Sequence, residues 1–306
     1  MFRKNGVVYM YLVFDIGGTF IKYMTMERSG EPVNEGKFPT PYQDLETLIE
    51  KMASIYQGFS KRVKGIAISC PGTVDVNQGI VYHGGALTYL HEQALANKLQ
   101  KKCNVPVSIE NDGKCAALAE KWQGSVKDYQ QSVVLVLGTG VGGGIIIDGK
   151  LHRGVHLQAG EQSYVMECYD HETGKAAFAG KACSASRMVN EIAKQKGLER
   201  NDGQGVFQYI NNQDPEAVTI FERFCKNVAV QILNLQYIID PEIVAIGGGI
   251  SVQPALLTGI KEAIEVIKAD NPLHMASPHV VTCHFRSAAN LYGALYHFLL
   301  QHENEQ

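Results

Sequence analysis

Short apolar runs that end in glycine recur three times along the chain. They are residues 11–14 before Asp15-Ile-Gly-Gly-Thr19, residues 133–137 before Gly138-Thr-Gly-Val-Gly-Gly-Gly144, and residues 244–246 before Gly247-Gly-Gly249. A short apolar run bounded by a turn signal is typical of a buried strand. Because glycine has no Cβ, the backbone N–H groups of such turns can approach an anion closely. Three turns separated by domain-sized stretches suggest one polyphosphate held between two lobes, which is the layout of a nucleotide-dependent phosphotransferase.

The first two glycine turns have similar surroundings. Each is followed by a second apolar run, at residues 20–26 and 145–147, and each second run ends in a polar turn. A Rossmann-type start would instead place a helix after the glycines. The strand–turn–strand pattern, repeated about 120 residues apart, predicts an internal duplication.

Helical and strand patterns alternate along the rest of the chain. Helical periodicity covers residues 45–56, 113–122, 217–239, 255–269 and 287–301, and further buried strands are predicted at 65–69, 105–109 and 243–246. The longest helix is expected to end at Asp240-Pro241. Alternating strands and helices predict an α/β fold.

Composition and charge narrow the class of protein without identifying it. The 306 residues suffice for two domains with separate cores, and a net charge of −3 gives no electrostatic reason to expect nucleic acid or an anionic membrane as a partner. No segment approaches the roughly 20 apolar residues of a membrane helix. Seven cysteines without a C-x-x-C pair are typical of reduced thiols, so a cytoplasmic protein is expected. Residues 1–9 precede the first strand and are interpreted as a dispensable extension, with Met10 an alternative start.

Five motifs occur in the order seen in ROK-family sugar kinases. They are Asp15-Ile-Gly-Gly-Thr19, Glu110-Asn-Asp112, residues 137–144, Ala159-Gly-Glu161, and Asp240-Pro241 with Gly247-Gly-Gly249. The chain resembles this family from about residue 11 to residue 300. The resemblance implies an α/β, two-lobed, actin- and hexokinase-like ATPase fold, with substrates in the cleft. It also implies phosphorylation of a sugar hydroxyl, usually on C6, with ATP and Mg²⁺, and commonly a homodimer.

The same resemblance suggests where the two lobes divide. We predict an N-terminal lobe at residues 1–113, with a C-terminal helix at 287–306 packing back on it, and a C-terminal lobe at 114–286.

The Asn-Asp pair carries the predicted chemistry. Matching it to the family implies Asp112 as the catalytic base, because phosphoryl transfer needs the attacking hydroxyl held in line and its proton accepted. From the residues alone, Asn111 and Asp112 before Gly113 fit a helix N-cap, and the two interpretations can coexist. Asn111 and Glu161 are expected to hydrogen-bond sugar hydroxyls, although a lone glutamate is more often a solvated surface residue.

The glycine turns supply the predicted nucleotide contacts. The first turn is expected to meet the β and γ phosphates through Gly17, Gly18 and Thr19, helped by Lys22, while Asp15 orients Mg²⁺-bound water or repels a misplaced phosphate. The predicted second phosphate loop consists of Gly138, Thr139, Gly140, Gly142 and Gly143, and Gly247, Gly248 and Gly249 are expected to approach the adenosine. The alternatives are an ordinary hairpin turn for the first and a strand-to-helix packing turn for the third.

The sequence departs from the family after Glu161. Many members continue into a histidine and three clustered cysteines that bind a structural zinc, but here Tyr164 stands at the histidine position and Cys168 and Cys183 are far apart. Tetrahedral zinc needs four well-placed ligands, so no metal site is predicted in the chain. A second family glutamate near the sugar C1 also lacks a counterpart. The chain therefore resembles zinc-lacking members, which include β-glucoside kinases.

Other functions and several substrates remain open. ROK relatives include repressors with an N-terminal helix-turn-helix, for which residues before the first strand leave no room. A sugar-binding regulatory protein without kinase activity is a second alternative, disfavoured by the retention of Asp15 and Asp112. Glucose, N-acetylmannosamine, fructose and a β-glucoside all remain possible substrates.

Overall fold

The computed structural model describes residues 9–270, 273 and 275–303. Residues 1–8 of the predicted extension lie outside this part of the chain. The strands are β1 (Met10–Ile16), β2 (Phe20–Met26), β3 (Pro32–Pro39), β4 (Val63–Cys70), β5 (Thr73–Asp75), β6 (Ile80–Tyr82), β7 (Val107–Asn111), β8 (Ser132–Leu137), β9 (Val141–Ile147), β10 (Lys150–His152), β11 (Met166–Asp170), β12 (Lys175–Phe178), β13 (Ile243–Gly247) and β14 (Val280–Thr282). The helices are α1 (Leu45–Phe59), α2 (Leu95–Cys103), α3 (Asp112–Gln123), α4 (Ala179–Ala182), α5 (Ala185–Lys196), α6 (Gly203–Asn211), α7 (Pro215–Ile239), α8 (Pro254–Ala269) and α9 (Ala289–His302).

The chain forms two compact units. The first comprises the described residues up to Trp122, Gly154–Gln158 and the described residues from Ala288 on, and the second comprises Gln123–Arg153 and Ala159–Ser287. The predicted boundary after residue 113 falls inside α3, whereas the first unit keeps nearly all of that helix.

The first unit is built on a five-stranded sheet in the order β3-β2-β1-β4-β7. Strands β1, β4 and β7 run parallel, while β2 and β3 are antiparallel to their neighbours. Alternate side chains of β1 face opposite sides of the sheet, as period-2 geometry requires. Leu12 and Phe14 belong to the core that includes α1 and α2, whereas Tyr11 and Val13 pack with α9.

Helix α9 lies directly against α3 in the first unit. A Cβ placed on Gly293 would come within 1.7 Å of the Cys115 backbone oxygen, so only glycine allows the two helices this close approach. Leu291, Leu295 and Phe298 then bury their side chains beneath the sheet.

The second unit repeats this design. Its five-stranded sheet has the order β10-β9-β8-β13-β14, in which the β8–β9 pair is antiparallel and β8, β13 and β14 are parallel. Each strand corresponds in place and direction to one of the first sheet, so the predicted internal duplication is confirmed. A single core packs α5, α6, α7 and α8 with this sheet.

The helix ends follow the sequence signals. Asp214 caps α7 by accepting a hydrogen bond from the Ala217 N–H at 3.0 Å, and Pro215 occupies the first helical position. The helix ends at Asp240, which adopts the left-handed conformation. Across the described residues, no helix has the length and apolar character needed to cross a membrane.

Candidate active site

The carboxyl ends of parallel strands bring the predicted acidic residues to one edge of the first sheet. Asp15 lies near the end of β1 and pairs in register with Ser69 of β4, which in turn pairs with Glu110 of β7. Asp112 follows one residue after β7. Strands β1 and β7 are two strand spacings apart, about 10 Å, which leaves room for a ligand between the residues at their ends. Open α/β sheets bind ligands at this edge.

Two side chains from distant parts of the chain hold the Asp15 carboxylate. The Ser69 hydroxyl donates to Asp15 Oδ1 at 2.9 Å, and Asn290 Nδ2 donates to the same oxygen at 3.0 Å. Asn290 lies in the first turn of α9. Sequence reasoning missed both donors, because nothing local in the sequence links them to Asp15.

The Asn111-Asp112 pair forms the junction of β7 and α3. Asn111 is buried, and its Oδ1 accepts a hydrogen bond from the Lys114 N–H at 3.0 Å, which is an N-cap contact. Its amide nitrogen donates to the Gly72 oxygen at 2.8 Å. Asp112 is partly exposed and accepts from the Gly113 N–H at 2.8 Å. The cap interpretation therefore holds for Asn111, and it leaves Asp112 in the first turn of the helix.

Two buried cysteine thiols of the first unit have raised pKa values. Burial first of all, then the Asp112 and Asp15 carboxylates, hold the pKa of the Cys70 thiol well above its ordinary value. For Cys115, burial is again the main cause, followed by Glu110, Asp15 and Asp112. Both thiols stay protonated at neutral pH, so neither is a nucleophile.

A loop between β6 and α2 reaches the first glycine turn. The Cβ position of Gly18 lies 4.0 Å from Ala86 Cβ and 4.0 Å from the Tyr42 hydroxyl oxygen. Gly72 has φ +99°, and a Cβ there would meet the His83 oxygen at 2.5 Å. Ala86 thus lies beside the turn, and His83 packs against Gly72, which accepts the hydrogen bond from Asn111. Lys22 is exposed on β2 in register with Asp15.

The second glycine turn is shorter than the sequence suggests. Gly138, Thr139 and Gly140 form the β8–β9 turn, with the Gly138 N–H donating to the Gly140 oxygen at 2.9 Å. Gly142 and Gly143 are paired in strand β9 with Val136 and Leu135, so they lie in the strand that follows the turn, and their contact with a phosphate stays a prediction. The strand continues through the glycines because its backbone hydrogen bonds need no side chain. A Cβ on Gly143 would overlap the Val134 oxygen at 1.9 Å, which explains that glycine by packing.

The third turn lies beside the second at the carboxyl edge of the second sheet. Gly247 ends β13 and pairs with Val136 of β8, and a Cβ on Gly248 would meet the Leu137 oxygen at 2.1 Å. Gly248 has φ +100°. The packing interpretation thus explains Gly248, while Gly249 opens a 3₁₀ turn.

One glycine in each turn has no packing explanation. Gly138 and Gly249 have no atom within 4 Å of a built Cβ, and Gly18 has only the two contacts at 4.0 Å. The φ angles of all three lie outside the left-handed range. Neither sterics nor backbone conformation requires glycine at these positions. Open space over a turn is what close approach of a ligand needs, so Gly18 and Gly138 fit the predicted phosphate contacts and Gly249 fits the predicted adenosine contact.

The remaining predicted residues lie near the second turn along the chain. Glu161 is half-buried and precedes the 3₁₀ turn Gln162–Tyr164. The Ser163 hydroxyl accepts from the Val141 N–H at 2.8 Å. Tyr164 is exposed, Cys168 is exposed and Cys183 is buried. In the part of the chain that the structure describes, no three His, Cys, Asp or Glu side chains group so as to hold a metal ion.

Two duplicated α/β units, each carrying an open glycine turn at the carboxyl edge of its sheet, define a protein of the actin- and hexokinase-like class. The ROK family profile matches residues 11–301. The chain belongs to the ROK family.

Individual relatives agree with this assignment. A β-glucoside kinase of Listeria innocua is 32% identical over 303 residues, covering 95% of this chain and 97% of the relative. A ROK family protein of Streptococcus pneumoniae, solved in complex with sucrose, shares 31% identity with a TM-score of 0.87, covering 97% of this chain and 100% of that one. A ROK glucokinase of Streptomyces griseus, solved with glucose and AMPPNP, shares the fold with a TM-score of 0.74 at 22% identity, covering 94% and 98% of the two chains.

Proposed function

We propose that this protein is an ATP-dependent sugar kinase that transfers the γ-phosphoryl group to a hexose or hexoside hydroxyl, on C6. The observation that carries the proposal is the arrangement of Asp15 and Asp112 at one carboxyl edge, with Asn111 fixed between the sheet and α3. Sugar kinases among the relatives support the reaction class.

Asp112 is the proposed catalytic base. It would accept the proton of the attacking sugar hydroxyl, while Asn111 and Glu161 hydrogen-bond other hydroxyls. The N-terminus of α3 favours the carboxylate form and so makes Asp112 a weaker base. Phosphoryl transfer tolerates this, because its loose transition state depends mainly on positioning and charge stabilisation.

The phosphoryl donor is proposed to be ATP with Mg²⁺. The open turns at Gly18 and at Gly138 each leave space for phosphate oxygens, and the space over Gly249 fits a contact with the adenosine. Carboxylate is a ligand type that suits Mg²⁺, and Asp15, held by Ser69 and Asn290, is the residue proposed to bind it through water. Bound Mg²⁺ supplies neutralisation of charge on the transferring phosphoryl group.

The substrate class is proposed to be β-glucosides. The Listeria relative carries that activity in its name, and the chain lacks both the zinc-binding cysteines and the second glutamate near C1 that many members have. A less charged C1 end of the pocket fits a substituted C1 better than a free one.

Two further proposals concern the protein's setting. We propose a homodimer, supported by four exposed apolar side chains around the β11–β12 hairpin: Tyr164, Met166, Tyr169 and Phe178. We propose a cytoplasmic location, supported by the seven cysteines, all within the described residues, none of which forms a disulfide.

The first experiment is ADP release with Mg-ATP across glucose, mannose, fructose, N-acetylmannosamine, N-acetylglucosamine, cellobiose and arbutin. We expect turnover on cellobiose and arbutin. Turnover on free hexoses alone would refute the β-glucoside proposal but keep the kinase. Sugar binding without ADP release from any sugar would refute the kinase in favour of a sugar-binding regulator.

Asp112→Asn tests the base. We expect kcat to fall by about 10²–10⁴-fold with the KM for sugar little changed, because general base catalysis contributes that much. The matched control is Asp148→Asn, an exposed turn residue at φ +51° where asparagine is tolerated and can still accept from Gln131 Nε2. An Asp112→Asn variant with wild-type kcat would assign Asp112 to helix initiation alone.

A further inference from the structure

Residues 40–42 donate hydrogen bonds to three consecutive backbone carbonyl groups of the first glycine turn. The Thr40 hydroxyl donates to the Gly17 oxygen at 2.7 Å, and the Tyr42 hydroxyl donates to the Gly18 oxygen. The Thr40 N–H then donates to the Thr19 oxygen at 3.0 Å. Three consecutive carbonyls therefore face residues 40–42, which directly follow β3.

This arrangement fixes where the N–H groups of the turn point. No described peptide bond is cis, and in a planar trans peptide the C=O and the following N–H point in opposite directions. Because the Gly17 and Gly18 carbonyls turn toward Thr40 and Tyr42, the N–H groups of Gly18 and Thr19 turn away from them. Successive N–H groups on one side of a turn form an anion-binding nest.

The segment itself is anchored from a second direction. The Tyr89 hydroxyl donates to the Pro41 oxygen at 2.6 Å. Burial, first of all, raises the pKa of Tyr89 to about 12, so this hydroxyl keeps its proton at working pH. Thr40 is buried, and Pro41 has a restricted φ. Residues 40–42 are thus held rigidly enough to set the orientation of the turn.

We propose that Thr40 and Tyr42 are positioning residues that orient the Gly17-Gly18-Thr19 turn for the phosphoryl group. The inference rests on the proposed function in naming the anion as a phosphoryl group of ATP. Neither side chain needs to touch the ligand, because both act through the turn carbonyls.

The test compares Thr40→Val, Tyr42→Phe and the double variant. We expect each to lower kcat or raise the KM for ATP, reaching about ten-fold in kcat/KM for ATP in the double variant, while the KM for sugar changes less than two-fold. Thr40→Ser keeps the hydroxyl and should restore wild-type values. Tyr42 is exposed, so removal of its hydroxyl should leave the fold intact. Tyr9→Phe, an exposed tyrosine just before β1, is the control.

Hydrogen–deuterium exchange of residues 16–22 gives a readout that does not depend on turnover. Mg-AMPPNP should slow this exchange in the wild type, and the double variant should exchange faster and lose most of that protection. A wild type protected by AMPPNP but inactive on every sugar would refute the kinase and keep the positioning role. A double variant with unchanged kinetics and unchanged exchange would overturn it, as would a Thr40→Ser variant as impaired as Thr40→Val.

Discussion

Glycines that share a turn differ in what a side chain would meet there. Gly248 is required by its φ of +100° and by the Leu137 oxygen, whereas the next residue, Gly249, has open space around a built Cβ. The sequence shows three consecutive glycines and does not indicate which of them is required by packing or backbone conformation. The structure separates them, because it shows both the φ angle of Gly248 and the Leu137 backbone oxygen that a side chain there would meet.

The open glycines give a direct prediction. Gly138→Ala and Gly249→Ala should fold with unchanged or slightly higher stability, because the added methyl meets no atom and the unfolded chain loses freedom. Both should raise the KM for ATP by about ten-fold, because the methyl displaces a phosphate or adenosine contact. Thermal melting and steady-state kinetics measure the two effects.

The control for this prediction is another glycine with open space. Gly58 lies in the last turn of α1, with nothing within 4 Å of a built Cβ. Gly58→Ala should leave all kinetic constants unchanged and add about 0.5–1 kcal/mol of stability. If Gly138→Ala behaves as Gly58→Ala does, the open space over the second turn has no role in binding.

The positions of the acidic residues were predictable where the signal was local. Asp15 precedes a glycine turn and Asn111-Asp112 precede a helix, and the structure brings them to one sheet edge, whereas their roles come from the family resemblance and stay predictions. Thr40 and Ser69 were not predictable, because each reaches the site through a contact between residues far apart in the chain.

At the scale of elements, regular apolar patterns were predicted well. The predicted helices at 45–56, 217–239 and 255–269 match α1, α7 and α8 to within three residues at each end. Strand β3 was not predicted, because it lies at the sheet edge and its residues are mostly exposed and include Glu35 and Lys37. An edge strand with little burial carries no apolar alternation for a pattern to detect.

The start of α9 is a second element whose contribution to the site is testable. Asn290→Ala removes one of the two donors to Asp15 Oδ1. We expect kcat to fall several-fold to about ten-fold, because a freed carboxylate is no longer preorganised. The KM for sugar and the melting temperature should change little, because Asn290 is partly exposed.

Gln301→Ala is the matched control on the same helix. Its side chain donates to the Val76 oxygen at 3.2 Å, away from Asp15. Equal losses of kcat in Asn290→Ala and Gln301→Ala would indicate a general loosening of α9, and the positioning of Asp15 by Asn290 would then be refuted.

At the scale of the molecule, the duplication was predictable from the sequence, but its extension to all five strands of each sheet was not. The two similar glycine hairpins indicate a repeat in the sequence. The pattern of apolar residues does not indicate that β4 is equivalent to β13 and β7 to β14. The shared strand order explains it, because each half must place its glycine turn at the carboxyl edge of a parallel three-stranded core.

The end of the described chain closes the first unit through one carboxylate, which makes its stability depend on pH. Glu303 contacts Lys64 Nζ at 2.5 Å and Arg28 Nε at 3.1 Å, and it accepts from the Tyr11 hydroxyl. Partial burial raises the pKa of Glu303, but hydrogen bonds from Lys64 and Tyr11 outweigh it, so the pKa lies below its ordinary value of 4.5. A depressed carboxyl pKa stabilises the folded state above pH 4.5, and this stabilisation is lost as the pH falls through the folded-state pKa.

Glu303→Gln should therefore lower the melting temperature at pH 7 by a few degrees, corresponding to about 1–2 kcal/mol, with a difference that shrinks below pH 4.5. The exposed Glu35→Gln should show no difference at either pH, and a Glu303→Gln deficit as large at pH 3.5 as at pH 7 would show that packing rather than charge holds this end of the chain.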